Sequence, residues 1–170
     1  DTTIQDEIEF DNEDPEEYES IYEEQILKRD ENQLYKIIEF DEKDYHVYLT
    51  VIYDASRLST VKSKYYGTKG QHLSVMAKEN DAIVAINGGR FSDVGGQGNG
   101  ARASGVFISN GEIIEDGGNY KQPIIGISNK NVLTLGNMTV DEAIELGIRD
   151  AVCFGPFLIV NGKESFTQGN

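Results

Sequence analysis

The sequence predicts an α+β fold: a mixed, mostly antiparallel sheet with a few helices. Several short runs alternate apolar and polar residues, as strands do when one of their faces is buried. Tight-turn dipeptides such as Asn110-Gly111 and Asn161-Gly162 separate neighbouring runs. Helical spacing is confined to three short stretches. The 170 residues suffice for one domain, or for one domain with an appendage.

The negative charge is concentrated at the N-terminus. Residues 1–32 carry 14 acidic and 2 basic side chains, a net charge of −12, whereas residues 33–170 carry 16 and 13, a net charge of −3. We therefore divide the chain into an acidic N-terminal segment with its helix (1–32) and a near-neutral domain portion (33–170). Neither part clusters the Lys and Arg side chains that neutralise phosphates, so we expect no nucleic-acid partner. No run of about 18 apolar residues predicts a membrane helix.

The first elements are a helix and a hairpin. Asp14-Pro15 is a typical helix start, and helical spacing continues over residues 15–30. Apolar side chains recur along one stripe of this helix: Tyr18, Ile21, Tyr22 and Ile26. Two alternating runs, 34–40 and 45–53, surround a polar turn at 41–44 and predict a β-hairpin.

The next elements are a strand over 58–66, a helix over 71–80 and a strand over 81–86. The last of these runs is continuously apolar, which favours a strand buried on both faces. A glycine-rich loop follows.

The second half of the chain contains two hairpins, a helix and a pair of strands. The hairpins are predicted over 104–115 and over 123–135. Thr139 begins a short helix, since Glu142 completes a capping box with it. Strands over 151–154 and 157–160 close the series.

The strongest chemical signal is Asn87-Gly88-Gly89-Arg90, where the apolar run ends. Backbone N–H groups in such a turn can bind an anion, and a guanidinium suits phosphate. Taken locally, Asn-Gly-Gly is more often a simple turn. Arg102 is either a second cation facing the same cleft or a surface arginine.

Other kinds of site are less well supported. No Gly-Lys-Ser/Thr follows the glycines, which excludes a nucleotide-binding phosphate loop. Residues 93–99 lack the alternating oxygen ligands and final Glu of a calcium loop. The single cysteine, Cys153, excludes an intrachain disulfide and a multi-cysteine zinc site, and its apolar neighbours predict burial. We assign no metal ligand, and the sequence leaves the identity of any cofactor open.

The order of the motifs resembles the phosphodiester glycosidase family, in its bacterial exopolysaccharide-associated branch, over roughly residues 45–165. The matching motifs are Tyr53-Asp54-Ala55-Ser56-Arg57-Leu58, Gly70-Gln71-His72-Leu73-Ser74, Ala85-Ile86-Asn87-Gly88-Gly89-Arg90-Phe91, Ser104-Gly105-Val106, Ile124-Ile125-Gly126-Ile127 and residues 151–163. Arg90 departs from the apolar or small residue of many relatives. The family's later Pro-Arg-Thr and Asp-Gly-Gly-Gly-Ser motifs are also missing. We therefore expect a C-terminal part, which a second chain could carry, to complete the site.

The resemblance implies hydrolysis of the glycosidic bond of a sugar 1-phosphodiester in a cell-wall or exopolysaccharide glycan. It also implies a location outside the cytoplasm, extracellular or anchored to a membrane by an N-terminal segment. On that basis, Asp93 is the candidate base or nucleophile and Asn87 orients the substrate. The substrate-binding candidates are Gly88, Gly89, Arg90, Arg102 and Gly105.

Two alternatives stay open. A non-catalytic glycan-binding module would use tyrosines of the strands as stacking platforms, although core packing explains these tyrosines equally well. An envelope-assembly module would use the acidic helix as its docking element.

Overall fold

The structure is a computed structural model that describes residues 4–5, 21–93, 95–96, 98 and 100–165. These residues form two compact units, one over 21–58 and the other over 59–165 together with 4–5. The helices are α1 (Ile21–Leu27), α2 (Leu73–Glu79) and α3 (Val140–Glu145). The strands are β1 (Ile4–Gln5), β2 (Tyr35–Glu42), β3 (Tyr45–Ile52), β4 (Phe91–Ser92), β5 (Arg102–Ala103), β6 (Phe107–Ser109), β7 (Glu112–Glu115), β8 (Gln122–Ser128), β9 (Leu133–Met138), β10 (Ile148–Cys153), β11 (Ile159–Val160) and β12 (Lys163–Glu164).

The unit over 21–58 consists of α1 and the predicted hairpin. Strands β2 and β3 pair along their whole length, from Tyr35 opposite Ile52 to Glu42 opposite Tyr45. Only two residues are left for the turn, two fewer than predicted. Of the helix predicted over 15–30, residues 15–20 lie outside the described residues, and the observed helix ends three residues early, at Leu27.

Side chains of the hairpin cap the end of α1. The Tyr53 hydroxyl donates to the Ile26 carbonyl at 2.6 Å. The Lys36 ammonium donates to the Gln25 carbonyl at 2.6 Å and also to the Lys28 carbonyl. The last carbonyls of a helix have no intrahelical donor, so these contacts supply their missing partners.

A six-stranded antiparallel sheet forms the centre of the second unit, with the strand order β1-β9-β8-β10-β6-β7. Alternate residues of β8 are buried, as expected when one face of a sheet packs on a core. Helix α3 covers that core and begins with the predicted capping box of Thr139 and Glu142. The core cluster consists of Val106, Ile108, Ile124, Met138, Val140, Ala143, Ile148 and Ala151.

The predicted α+β class is therefore confirmed, and so are the local turn signals. Asn110 and Gly111 have φ of 50° and 77°, as a type I′ turn between β6 and β7 requires. Strands β8 and β9 form the second predicted hairpin. No helix within the described part of the chain is both long and apolar enough to cross a membrane.

The strand predicted over 58–66 is wrong. The segment forms no strand, because side chains rather than a neighbouring strand bind its polar groups. The Thr60 N–H and hydroxyl lie 3.0 and 2.9 Å from an Asp150 carboxylate oxygen, and the Ser109 hydroxyl donates to the Thr60 carbonyl. Residues 63–69 then turn on themselves.

The buried strand predicted over 81–86 is also wrong. This stretch is irregular and solvent-exposed, with Ile83 and Ile86 exposing 61% and 82% of their surface. The sequence pattern assumed a neighbouring strand on each side. Among the described residues no strand pairs with it.

Candidate functional site

Residues 88–90 lie against the end of the central strand β10. A Cβ atom on Gly89 would come within 2.8 Å of the Cys153 carbonyl oxygen and 3.1 Å of the Val152 Cβ, so only glycine permits this approach. The Arg90 N–H donates to the Cys153 carbonyl at 3.1 Å, and the Ser104 N–H donates to the Arg90 carbonyl at 2.8 Å. The backbone of Arg90 is thus anchored on both sides.

A series of hydrogen bonds through buried groups, which we name the Cys153 relay, holds the Arg90 side chain. Its Nη2 donates to the Cys153 Sγ at 3.0 Å, and that thiol donates to the Gln122 Oε1 at 3.5 Å. The Gln122 Nε2 donates in turn to the Gly117 carbonyl at 2.6 Å. The hydrogen bond with Cys153 is the main cause that raises the pKa of Arg90 above its ordinary value.

Arg90 also lines a groove of about 380 Å³, within the size range of small-ligand sites. The other lining residues are Pro123, Asn137, Gly155, Pro156, Phe157 and Ser165. Among the described residues, Cys153 is the one whose side chain accepts a hydrogen bond from the guanidinium. Its remaining N–H groups are therefore available to an anion in the groove.

Four of the predicted site residues converge on the end of β10. These are Gly88, Gly89, Arg90 and Gly105. Gly105 has φ of +101°, and a Cβ atom there would lie 2.5 Å from the Gln122 Oε1 and 2.7 Å from the Cys153 Sγ. Its observed role is to leave room for the relay beneath Arg90, and its predicted contact with substrate stays a prediction.

Asn87 precedes this cluster and is exposed. Its side chain makes no hydrogen bond to any residue that the structure describes, so the amide is available to a ligand. This position is compatible with the predicted role in orienting a substrate, which stays a prediction.

Arg102 differs from Arg90 in having an acidic partner. Its Nε lies 3.3 Å from the Glu115 Oε1, which also accepts a hydrogen bond from the Tyr66 hydroxyl at 2.9 Å. That hydroxyl accepts from the Ala103 N–H at 3.0 Å, and burial is the main cause that raises the pKa of Tyr66. Arg102 is therefore part of a polar cluster that fixes β5, and its predicted contact with substrate stays a prediction.

Asp93 shapes the glycine-rich loop. Its Oδ1 accepts from the Gly98 N–H at 2.7 Å, and its carbonyl accepts from the Gly96 N–H at 3.1 Å. The carboxylate is exposed and keeps one oxygen outside this contact. Its role as base or nucleophile stays a prediction.

Sequence reasoning missed two groups. Gln122 is 1% exposed although it is polar, and it supports Cys153, whose burial was predicted and is confirmed at 2% exposure. Asp150, also 2% exposed, accepts hydrogen bonds from Thr60 and from the Asn110 N–H and pairs with Arg149. Gln122 and Asp150 each occupy a strand position at which the alternating pattern places apolar side chains. That mismatch was the one sequence signal available for these two residues.

Comparisons with known proteins bear on the family and the fold of the chain. A family model described as phosphodiester glycosidase matches residues 80–170, more than half of the chain. A solved structure, the zebrafish N-acetylglucosamine-1-phosphodiester alpha-N-acetylglucosaminidase catalytic domain auto-inhibited by pro-peptide, superposes with a TM-score of 0.60 at 18% identity. The match covers 81% of this chain and 48% of that chain, so this chain spans about half the neighbour's length. No curated protein matches the sequence. On the family match, the chain belongs to the phosphodiester glycosidase family.

Proposed function

We propose that this protein takes part in the hydrolysis of the glycosidic bond of a sugar 1-phosphodiester. The observation that carries the proposal is the Arg90 guanidinium, which the Cys153 relay holds at a groove with its remaining donors available. The proposed reaction class comes from family membership, and the groove is the proposed binding site for the phosphate anion.

The proposed reaction breaks the bond between the anomeric carbon and the bridging oxygen. The oxygen of water joins the anomeric carbon, and the bridging oxygen leaves with a phosphate monoester. Because the second pKa of such a monoester is about 6, the leaving group needs less protonation than a sugar alcohol does. A cation and backbone N–H groups that stabilise the phosphate can then replace part of the usual general acid.

We assign a catalytic or substrate-binding role to each candidate residue from its position in the structure. Arg90 would bind the phosphate together with the N–H groups of Gly88 and Gly89, which donate to no described residue. The further proposed substrate contacts are Asn87, Arg102 and Gly105. Asp93 would serve as base or nucleophile, with a second carboxylate supplied from outside residues 1–170.

The proposed natural substrate is a cell-wall or exopolysaccharide glycan that contains a sugar 1-phosphodiester. Such polymers lie outside the cytoplasm, so we place the protein there, either extracellular or anchored to a membrane. A second chain that completes the domain is part of this proposal.

The glycan-binding alternative is weakened by the arrangement of the tyrosines. Tyr45 and Tyr48 expose 64% and 65% of their surface, yet they point to opposite faces of β3 because side chains alternate along a strand. Tyr53 and Tyr66 instead use their hydroxyls in internal hydrogen bonds.

The test is to incubate the purified protein with the methyl diester of N-acetylglucosamine 1-phosphate in water enriched in oxygen-18. The proposal expects the label in the anomeric hydroxyl of the released sugar and unlabelled methyl phosphate. Label in the phosphate would show cleavage at phosphorus and overturn the proposal. Binding without turnover, by protein purified together with any chain that completes the domain, would favour the glycan-binding module. Arg90→Ala should lower kcat/KM, with Arg57→Ala as a control on the other unit.

A further inference from the structure

The groove at Arg90 contains two side chains to which the proposed reaction gives no role. These are Asn137 and Phe157, which line the groove together with Arg90. Within the described lining, Arg90 is the single charged residue, and no carboxylate is present. A ligand that matches this groove therefore carries its negative charge at one place and has a neutral body beside it.

Asn137 offers a neutral polar contact to that body. It lies on β9 directly opposite Pro123 of β8, and it is exposed. Opposite residues of an antiparallel pair point to the same face, which explains why both residues line the groove. The Asn137 amide makes no hydrogen bond to any residue that the structure describes. Because an amide both donates and accepts, it matches the hydroxyl groups of a sugar.

Phe157 is the aromatic residue of the groove, and it is half-buried. The Ser165 hydroxyl donates to its carbonyl, and the Ser165 N–H donates to the Leu158 carbonyl at 2.9 Å. On its other side, a Cβ atom on Gly155 would lie 3.0 Å from the Pro123 Cγ, so this segment packs closely on β8. The backbone that carries the ring is thus held on both sides, and an aromatic ring packs well on the C–H groups of a pyranose.

The positions of the candidate catalytic residues indicate which part of the substrate enters the groove. Asp93 and Asn87 are assigned to the sugar that is cleaved, and neither is among the lining residues. With the phosphate at Arg90, the alcohol on its other side is the part left for the groove. We propose that Asn137 and Phe157 determine which alcohol the phosphodiester carries and that they select a pyranose ring, an inference that rests on the proposed function.

Other alcohols fit these two residues less well. A lipid alcohol would pack on Phe157 but leave the Asn137 amide without a partner. A small alcohol such as methanol would reach neither residue. A pyranose supplies both contacts, since its hydroxyls bind the amide while its C–H groups cover the ring.

Two diesters of N-acetylglucosamine 1-phosphate test this selection. One has methanol as its alcohol and the other has the 6-hydroxyl of methyl glucoside, and the protein is purified with any chain that completes the domain. We expect kcat/KM to be on the order of tenfold higher for the glucoside diester. Asn137→Ala and Phe157→Leu should each remove most of this preference through KM and leave the methyl diester within about twofold.

Matched controls separate this selection from a general loss of activity. Asn119→Ala and Tyr45→Leu change exposed residues outside the groove and should keep the preference. Equal kcat/KM for the two diesters in the unaltered protein would overturn the proposal, and so would groove variants that slow both diesters alike. A decyl diester that is hydrolysed better than the glucoside diester would overturn it in favour of a lipid alcohol.

Calorimetric binding of the two phosphate monoesters gives a readout that needs no turnover. Methyl glucoside 6-phosphate should bind on the order of tenfold more tightly than methyl phosphate, and each groove variant should lose this difference. That result without hydrolysis of either diester would refute the proposed function alone. Hydrolysis of the methyl diester with equal binding of the two monoesters would instead overturn the selection by Asn137 and Phe157 alone.

Discussion

The Arg90 guanidinium donates a hydrogen bond to the Cys153 thiol across 3.0 Å, which joins the chain's single cysteine to the cation at its candidate site. Cys153 is buried, and its own hydrogen leads to Gln122. The thiol is thus a positioning group for the guanidinium of a residue that lines the groove.

Replacing this acceptor should weaken substrate binding. In Cys153→Ala the guanidinium loses its fixed partner, and a hydrogen bond to a charged group contributes about 1.5–3 kcal/mol. We expect KM for a sugar 1-phosphodiester to rise at least about tenfold, with a smaller change in kcat. Cys153→Ser keeps an acceptor and should recover most of the loss. Equal kinetics in Cys153→Ala and the unaltered protein would show that the thiol does not position Arg90.

Gly89 should tolerate alanine less well than its neighbour Gly88. The added methyl at Gly89 meets the backbone of Cys153 at 2.8 Å, whereas at Gly88 the nearest atom is the Val152 Cγ1 at 3.3 Å. Overpacking of this kind costs about 1–3 kcal/mol, so Gly89→Ala should lower the free energy of unfolding by that amount. Urea unfolding of both variants checks this. Comparable losses at the two positions would contradict the close approach of Gly89 to β10.

Asp150 should be a major contributor to stability. It is 2% exposed, accepts hydrogen bonds from Thr60 and Asn110, and pairs with Arg149. Asp150→Asn removes the ion pair with the partly exposed Arg149 and weakens the hydrogen bonds from Thr60 and Asn110, and we expect it to destabilise the fold by about 1–3 kcal/mol. Glu164→Gln, at an exposed position of β12, should stay within about 0.5 kcal/mol. A change below about 1 kcal/mol in Asp150→Asn would refute the role of Asp150.

The capping box of α3 should make stability depend on pH. Hydrogen bonding to the Thr139 N–H is the main cause that lowers the pKa of Glu142, and Lys121 lowers it further. Because the folded pKa is lower than the unfolded one, the contribution is complete above the ordinary value of 4.5 and is lost as pH falls through the folded value.

Glu142→Gln should therefore destabilise the protein at neutral pH and progressively less in acid. Urea unfolding over a descending pH series measures this, with Glu145→Gln as the control on the same helix. A difference that stays constant across the series would contradict the role of the carboxylate.

The predictable features were those encoded by neighbouring residues. The Asn110-Gly111 turn and the Thr139–Glu142 capping box are local in sequence, and the structure contains both. The segment over 58–66 was mispredicted because Thr60 binds Asp150, a residue 90 positions away. At the site, Asn87 to Arg90 formed a visible motif, whereas the link from Arg90 to Cys153 spans 63 positions and exists only in the folded chain. The segment over 81–86 was mispredicted because a buried strand depends on neighbours that pair with it.

The capping of α1 by Lys36 and Tyr53 has a consequence for how this part of the chain folds. Short helices are marginal in water without tertiary contacts, and the described part of α1 has seven residues. Its last carbonyls receive their hydrogens from β2 and from the residue after β3. The described part of α1 therefore depends on the hairpin for the hydrogen bonds at its end, so the two should melt in one cooperative step, and a defect in the hairpin should appear first as lost helix.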